Sequence, residues 1–211
     1  ALTNLGNNYI GNFADVHFYH GKIKEILVFD KTLTDEEVIK VNYYLSKKWG
    51  LESQVDSDGD GFTDADEIAD GSSAIDASDS LMPDLSDSVD SQIGEASGLD
   101  SIESNLKLWL DATNIDSYRH STLSDGAAIS EWKDLSGNGN DATQASAANQ
   151  PVLTGQAIVF DGSNDQMTLP DGTMPFGNTD YEFIVVAKSH GDHNGILYSS
   201  GTTLIANQSN G

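Results

Sequence analysis

The chain has no cysteine, which excludes disulfides and thiolate metal sites alike. Basic residues are scarce: 10 Lys and Arg stand against 34 Asp and Glu, for a formal net charge of -24. That balance argues against nucleic acid as a partner, because phosphate binding needs clusters of Lys and Arg. No apolar run approaches the ~18 residues that a membrane span requires. No signal peptide opens the sequence, and its first residues begin mid-pattern, as expected of a piece cut from a longer protein. Gly-x-Ser-x-Gly is absent, and there is no thiol nucleophile. A glycosidase would need two carboxylates projecting from a strand into a cleft. The one dense carboxylate set, Asp64 to Glu67, has another explanation below, so no enzyme is expected.

What is present is acid, unevenly spread. Residues 51–105 hold 16 of the 34 Asp and Glu and no Lys or Arg. Such a segment repels itself, and divalent cations would compact it. Within it runs Asp56-Ser57-Asp58-Gly59-Asp60-Gly61-Phe62-Thr63-Asp64-Ala65-Asp66-Glu67. As a twelve-residue calcium loop this places Asp56, Asp58 and Asp60 at positions one, three and five. Gly61 falls at six, where the chain turns sharply. Phe62 offers its carbonyl at seven, Asp64 acts at nine, often through a water, and Glu67 closes the loop as a bidentate ligand. A hard cation needs six to eight oxygens, and this spacing supplies them locally. The plain alternative is an acidic, Gly-rich solvated linker. Only residues 51–55 separate the loop from Gly50, so no full entering helix is expected. Residues 64–70 can make two helical turns before Gly71 stops them. Asp76 and Asp79 follow, placed to complete the shell or to bind a second ion.

Before the loop, residues 1–20 read as short strands and turns, with Tyr9-Ile10 and Val16-His17-Phe18 as the apolar pieces. Residues 21–30 form a strand apolar on both faces, so something must cover each face. Thr34 and Glu37 then make a capping box, with Leu33 and Val38 as a hydrophobic staple. Val38, Val41, Leu45 and Trp49 share one helical face, Lys47 and Lys48 suit the helix C-terminus, and Gly50 ends it. After the loop comes a Ser- and Asp-rich linker, residues 80–104, in which residues 93–102 could form a brief helix. Residues 106–111 open a second globular stretch. Residues 181–188 read as a central buried strand, and Ile196-Leu197-Tyr198 and Thr203-Leu204-Ile205 as further strands.

Three resemblances follow from these residues. The loop resembles the half-hand loops of thrombospondin type 3 repeats and of calcium-binding linkers in bacterial surface proteins. Residues 21–51, with Gly21-Lys22-Ile23-Lys24-Glu25-Ile26-Leu27-Val28-Phe29-Asp30 and Lys47-Lys48-Trp49-Gly50-Leu51, resemble the closing segment of laminin-G-like, concanavalin-A-like domains. Residues 105–211 resemble the opening half of the same family. The matching pieces are Leu108-Trp109-Leu110-Asp111-Ala112, Ile129 to Trp132, Asp134-Leu135-Ser136-Gly137-Asn138-Gly139-Asn140-Asp141-Ala142, Pro151 and Val159 to Asp165. The resemblance implies a mainly β jelly-roll sandwich with one capped helix and a calcium-binding linker. Its divisions are 1–51, the end of one sandwich; 52–104, the linker; and 105–211, the start of the next.

Because the closing segment precedes the opening one, the expected state is completion by a neighbouring copy, head to tail. The competing arrangement is a permuted single chain. The expected function is a calcium-stiffened structural or adhesive repeat unit, secreted or on a bacterial cell surface, that can build an extracellular filament. A lectin-like carbohydrate-binding module is the alternative, with glycans as partners. Three weaker sites stay open. His17 with His20, and His190 with His193, are metal pairs or solvated loop residues. Trp49, Trp109 and Trp132 stack on sugars or pack in the core. Asp134 to Asp141 binds a second calcium or is a plain turn.

Overall fold

A computed structural model describes residues 8–13, 17–78, 102–117, 123–174, 180–190 and 202–206. Its elements begin with β1 (Asn8–Ile10), β2 (Asn12–Phe13), β3 (His17–Phe18) and β4 (His20–Phe29), then α1 (Asp35–Trp49) and α2 (Asp64–Asp70). There follow β5 (Leu106–Asp111), β6 (Glu131–Trp132), β7 (Ala142–Thr143), β8 (Val152–Thr154) and β9 (Ala157–Asp161). The last are β10 (Met167–Leu169), β11 (Glu182–Ser189) and β12 (Thr202–Ala206). The chain is mainly β. The expected linker helix at 93–102 and strand at 196–198 fall almost wholly outside the described residues.

Two compact units emerge: residues 1–32 with 105–211, and residues 33–104. This grouping differs from the three-part division expected from the sequence, since α1 belongs with the loop rather than with β4. Hydrogen bonds from the Ala65 N–H to the Glu52 carbonyl (3.0 Å) and from Ser46 to Asp64 tie the helix end to the loop.

The first unit is organised on β4. One edge pairs antiparallel with β11 along its length, from Phe29 opposite Glu182 to Gly21 opposite Ser189. The other edge is shared, β9 taking His20 to Ile23 and β5 taking Glu25 to Phe29. With β8 beyond β9 and β12 parallel to β11, this makes a six-stranded sheet. A second, antiparallel sheet has the order β1-β10-β7-β6. Both edges of β4 are taken by strands of its own chain, which is the permuted single-chain arrangement. The physical reason is that residues 105–206 already hold the three strands that β4 needs.

The two sheets share one apolar core. Ile23, Ile26, Val28, Leu110, Phe160 and Val185 come from the larger sheet, and Trp132, Met167 and Leu169 from the smaller. Burying each such side chain contributes roughly 1.5–3 kcal/mol relative to exposure. A bulge explains the odd spacing of Ile23 and Ile26. Ile23 lies opposite Ala187 and Glu25 opposite Val186, so Lys24 is an extra residue and the alternation restarts one position later. The opposite side of β4 is buried too, at Leu27 and Phe29, as two-sided apolarity requires.

In the second unit α1 begins as its sequence dictates. Thr34 Oγ1 accepts the Glu37 N–H, and Glu37 Oε2 accepts the Thr34 N–H at 2.9 Å. Val41, Leu45, Ser46 and Trp49 are its buried residues, with Val38 half-buried. Gly50 closes the helix at φ 64°, in the left-handed region. No helix among the described residues is long and apolar enough to cross a membrane.

Candidate metal centre

The loop at 56–67 is built by its own carboxylates. Asp56 Oδ1 accepts the Gly59 N–H at 2.7 Å and its Oδ2 the Gly61 N–H at 3.0 Å. Asp58 Oδ1 accepts the Asp60 N–H at 3.2 Å, and Asp60 Oδ1 the Phe62 N–H at 2.9 Å. Each acid thus holds a backbone amide ahead of it, which curls the chain around the carboxylates. Gly61 sits at φ 104°, where a side-chain-bearing residue is strained, in keeping with its place at position six. Thr63 caps α2 and Asp66 returns the bond, another capping box, and Gly71 ends the helix.

The curling brings Asp56, Asp58 and Asp60 together, with one oxygen from each within 4.8 Å of the others. It also leaves polar atoms stranded. Asp58 Oδ2, Asp60 Oδ2 and both Glu67 oxygens are buried with no hydrogen-bond partner. Buried polar atoms are almost always paired, so four orphaned oxygens in one loop are anomalous for protein alone. They fit a hard cation, which would take the place of the missing donors. Burial, reinforced by the charges of Asp58, Asp60, Asp64 and Asp56, pushes the Glu67 carboxyl up to about 8. Burial likewise raises Asp58, helped by Asp60, Asp56 and Asp64 and opposed by its bond from the Asp60 amide. A divalent cation would reverse both effects.

Asp64 is placed differently from its expected role at position nine. Its Oδ1 accepts the Ser57 N–H at 2.8 Å, and its Oδ2 accepts the Ser57 hydroxyl at 2.9 Å and the Ser46 hydroxyl. Ser46 and Ser57 are therefore part of the site's frame, and the reading of the loop missed both. Ser46 carried a weak signal, a polar residue adjoining the apolar stripe of α1. Asp76 spends Oδ1 on the Ser78 N–H (3.0 Å) and hydroxyl (2.6 Å), which holds its carboxyl below the usual range. Asp79 lies outside the described residues.

The turn at 134–141 is satisfied as protein. Asp134 accepts N–H bonds from Trp109, Ser136 and Asn140, and Asp141 accepts from the Asp134 N–H and the Lys133 ammonium. The amides of Asn138 and Asn140 donate to the carbonyls of Leu106 and Lys107, sealing the free edge of β5. Trp132 is fully buried and donates to the Asp111 carbonyl at 3.1 Å, while Trp109 donates to Glu25 Oε1 at 2.8 Å. Trp49 is buried as well. His20 and His190 meet edge to face with ring centroids 4.9 Å apart. The side chains of His17 and His193 lie outside the described residues. Comparison of the chain with protein-family models, with curated proteins and with solved structures finds no match.

Proposed function

We propose that the chain is a calcium-binding structural module of a secreted or cell-surface bacterial protein, its sandwich of concanavalin-A-like, laminin-G-like type. One observation carries the reading: four buried carboxylate oxygens without partners, in a loop whose spacing presents oxygens and little else. Asp56, Asp58, Asp60, the Phe62 carbonyl and a bidentate Glu67 supply six oxygens, the lower end of calcium's range. Magnesium demands near-ideal octahedral geometry and sheds water reluctantly, so it suits this loop less. Bound calcium offsets two of the four ligand carboxylate charges in the most acidic part of the chain and stiffens it, a role suited to adhesion. The filament reading loses its motive, because β4 is already paired on both edges inside its own chain. The lectin reading gains nothing from the tryptophans, whose faces or N–H groups are used in packing.

Calorimetric titration of chelator-stripped protein tests the calcium claim. The expected dissociation constant is in the extracellular class, about 10⁻⁴–10⁻³ M. Asp58→Ala with Glu67→Ala removes the binding and leaves the tryptophan near-UV signal intact. No heat and no thermal shift at millimolar calcium would sink the proposal. A glycan array run in calcium tests the lectin alternative, which sugar-selective binding would favour.

A further inference from the structure

We propose that Asp64 is a positioning residue that ties the calcium loop to α1 through Ser46, so that ion binding steadies the last turns of that helix. The inference deepens the calcium reading and rests on it. Asp64, Ser46 and Ser57 are all buried, Asp64 and Ser46 completely. A buried carboxylate has four acceptor positions, and three are taken: by the Ser57 N–H, the Ser57 hydroxyl and the Ser46 hydroxyl. The Ser46 hydroxyl also lies 3.0 Å from the Tyr43 carbonyl, but it has a single proton, and the carboxylate is the stronger acceptor. Asp64 therefore has little capacity left for an ion, unlike Glu67, which is fully buried with both oxygens unpartnered.

The connections run in a short circuit. Ser57 follows the ligand Asp56, and Asp64 grips both its amide and its hydroxyl. The Asp64 N–H donates to the Val55 carbonyl at 2.8 Å, and the Ala65 N–H to the Glu52 carbonyl at 3.0 Å. Asp64 is also the first residue of α2, the helix that carries Glu67. One carboxylate thus holds three things in place: the start of the loop, the helix bearing its closing ligand, and Ser46 in the last turn of α1. When the ion draws Glu67 and the three aspartates together, Asp64 transmits that rigidity to Ser46.

The test uses the full chain with Ser46→Ala, Asp64→Asn and the double variant. Calcium affinity is read by calorimetry, bound water by europium luminescence lifetimes, and α1 by hydrogen exchange of amides 43–49. Ser46→Ala is expected to weaken calcium binding about tenfold, the loss of one charge-assisted hydrogen bond, and Asp64→Asn by more, because its amide nitrogen accepts no hydrogen bond and its charge is gone. The double variant should be no weaker than Asp64→Asn alone, with the count of europium-bound waters unchanged. Calcium should slow exchange at 43–49 in the native chain and not in the variants. Ser46→Thr, which keeps the hydroxyl, should restore the coupling and guards against mere unfolding. The proposal is overturned if Ser46→Ala leaves affinity and exchange as in the native chain, or if Asp64→Asn admits an extra water to the ion. Failure of the native chain to bind calcium would overturn the calcium reading and this inference together. Binding with no Ser46 dependence would overturn this inference alone.

Discussion

Calcium and protons should compete for Glu67. In the ion-free loop its carboxyl is held up to about 8 by burial and by four neighbouring aspartates, against an ordinary value of 4.5. Raising a carboxyl's pKa on folding has a definite sign. The ion-free loop is most stable below the ordinary carboxylate range and loses stability as pH rises through about 8. Calcium requires the ionised form, so its affinity runs the opposite way and rises with pH. At pH 6, two units below that value, only ~1% of Glu67 is ionised, and the apparent affinity should fall ~100-fold from its high-pH plateau. The slope is about tenfold per pH unit, steepening at lower pH as Asp58 joins. Binding at pH 6 should release about one proton per calcium, declining to about half at pH 8. Calorimetry in paired buffers of different ionisation enthalpy measures both quantities. The variant Glu67→Gln should bind more weakly and lose most of the pH dependence above pH 6. An affinity constant within about twofold from pH 6 to 9, with no proton released, would refute the argument.

Three further outcomes are expected. Gly61→Ala places a Cβ at φ 104° in open space, so backbone strain alone should cost about 1–2 kcal/mol, seen as weaker calcium binding with the sandwich's urea midpoint unchanged. Asn138→Ala with Asn140→Ala uncaps the Leu106 and Lys107 carbonyls and should lower the urea stability of the sandwich by about 1–3 kcal/mol; an unchanged midpoint would show that water replaces the amides freely. Thr34→Ala removes the cap of α1 and should cost about 1 kcal/mol by thermal denaturation, whereas Thr34→Ser should cost almost nothing.

Local chemistry was legible in the sequence, and partnership across the chain was not. Thr34, Glu37 and Gly50 marked α1 because capping acts within one turn of helix. The loop was readable because its acids and turn glycines fall in twelve consecutive positions, Asp56 to Glu67. The order of the two resembling segments was also visible, but order does not say which edges meet. That depends on complementary apolar faces on strands far apart, and β4 found its neighbours in its own chain. The bulge at Lys24 was hidden because strict alternation assumes a flat ladder. The role of Asp64 was hidden because its partner Ser46 sits 18 positions earlier, on a helix whose spacing spoke only of apolar packing.

The place of β4 in the sheet also sets a timetable for acquiring the fold. Trp109 and Glu25, on neighbouring strands, are 84 positions apart, and Asn12 reaches Gln166 across 154. As the chain is synthesised, β4 emerges well before any strand that will flank it. Closing loops of that length is entropically costly and slow compared with forming α1 or α2, whose contacts are local. The helices and the acidic loop between them can therefore be native while β4 still waits with both edges open. During that interval the strand is a template for pairing with other chains. Dilution, a chaperone or rapid completion of residues 105–189 would each shorten the exposure, and the yield of folded protein should depend on that delay more than on final stability.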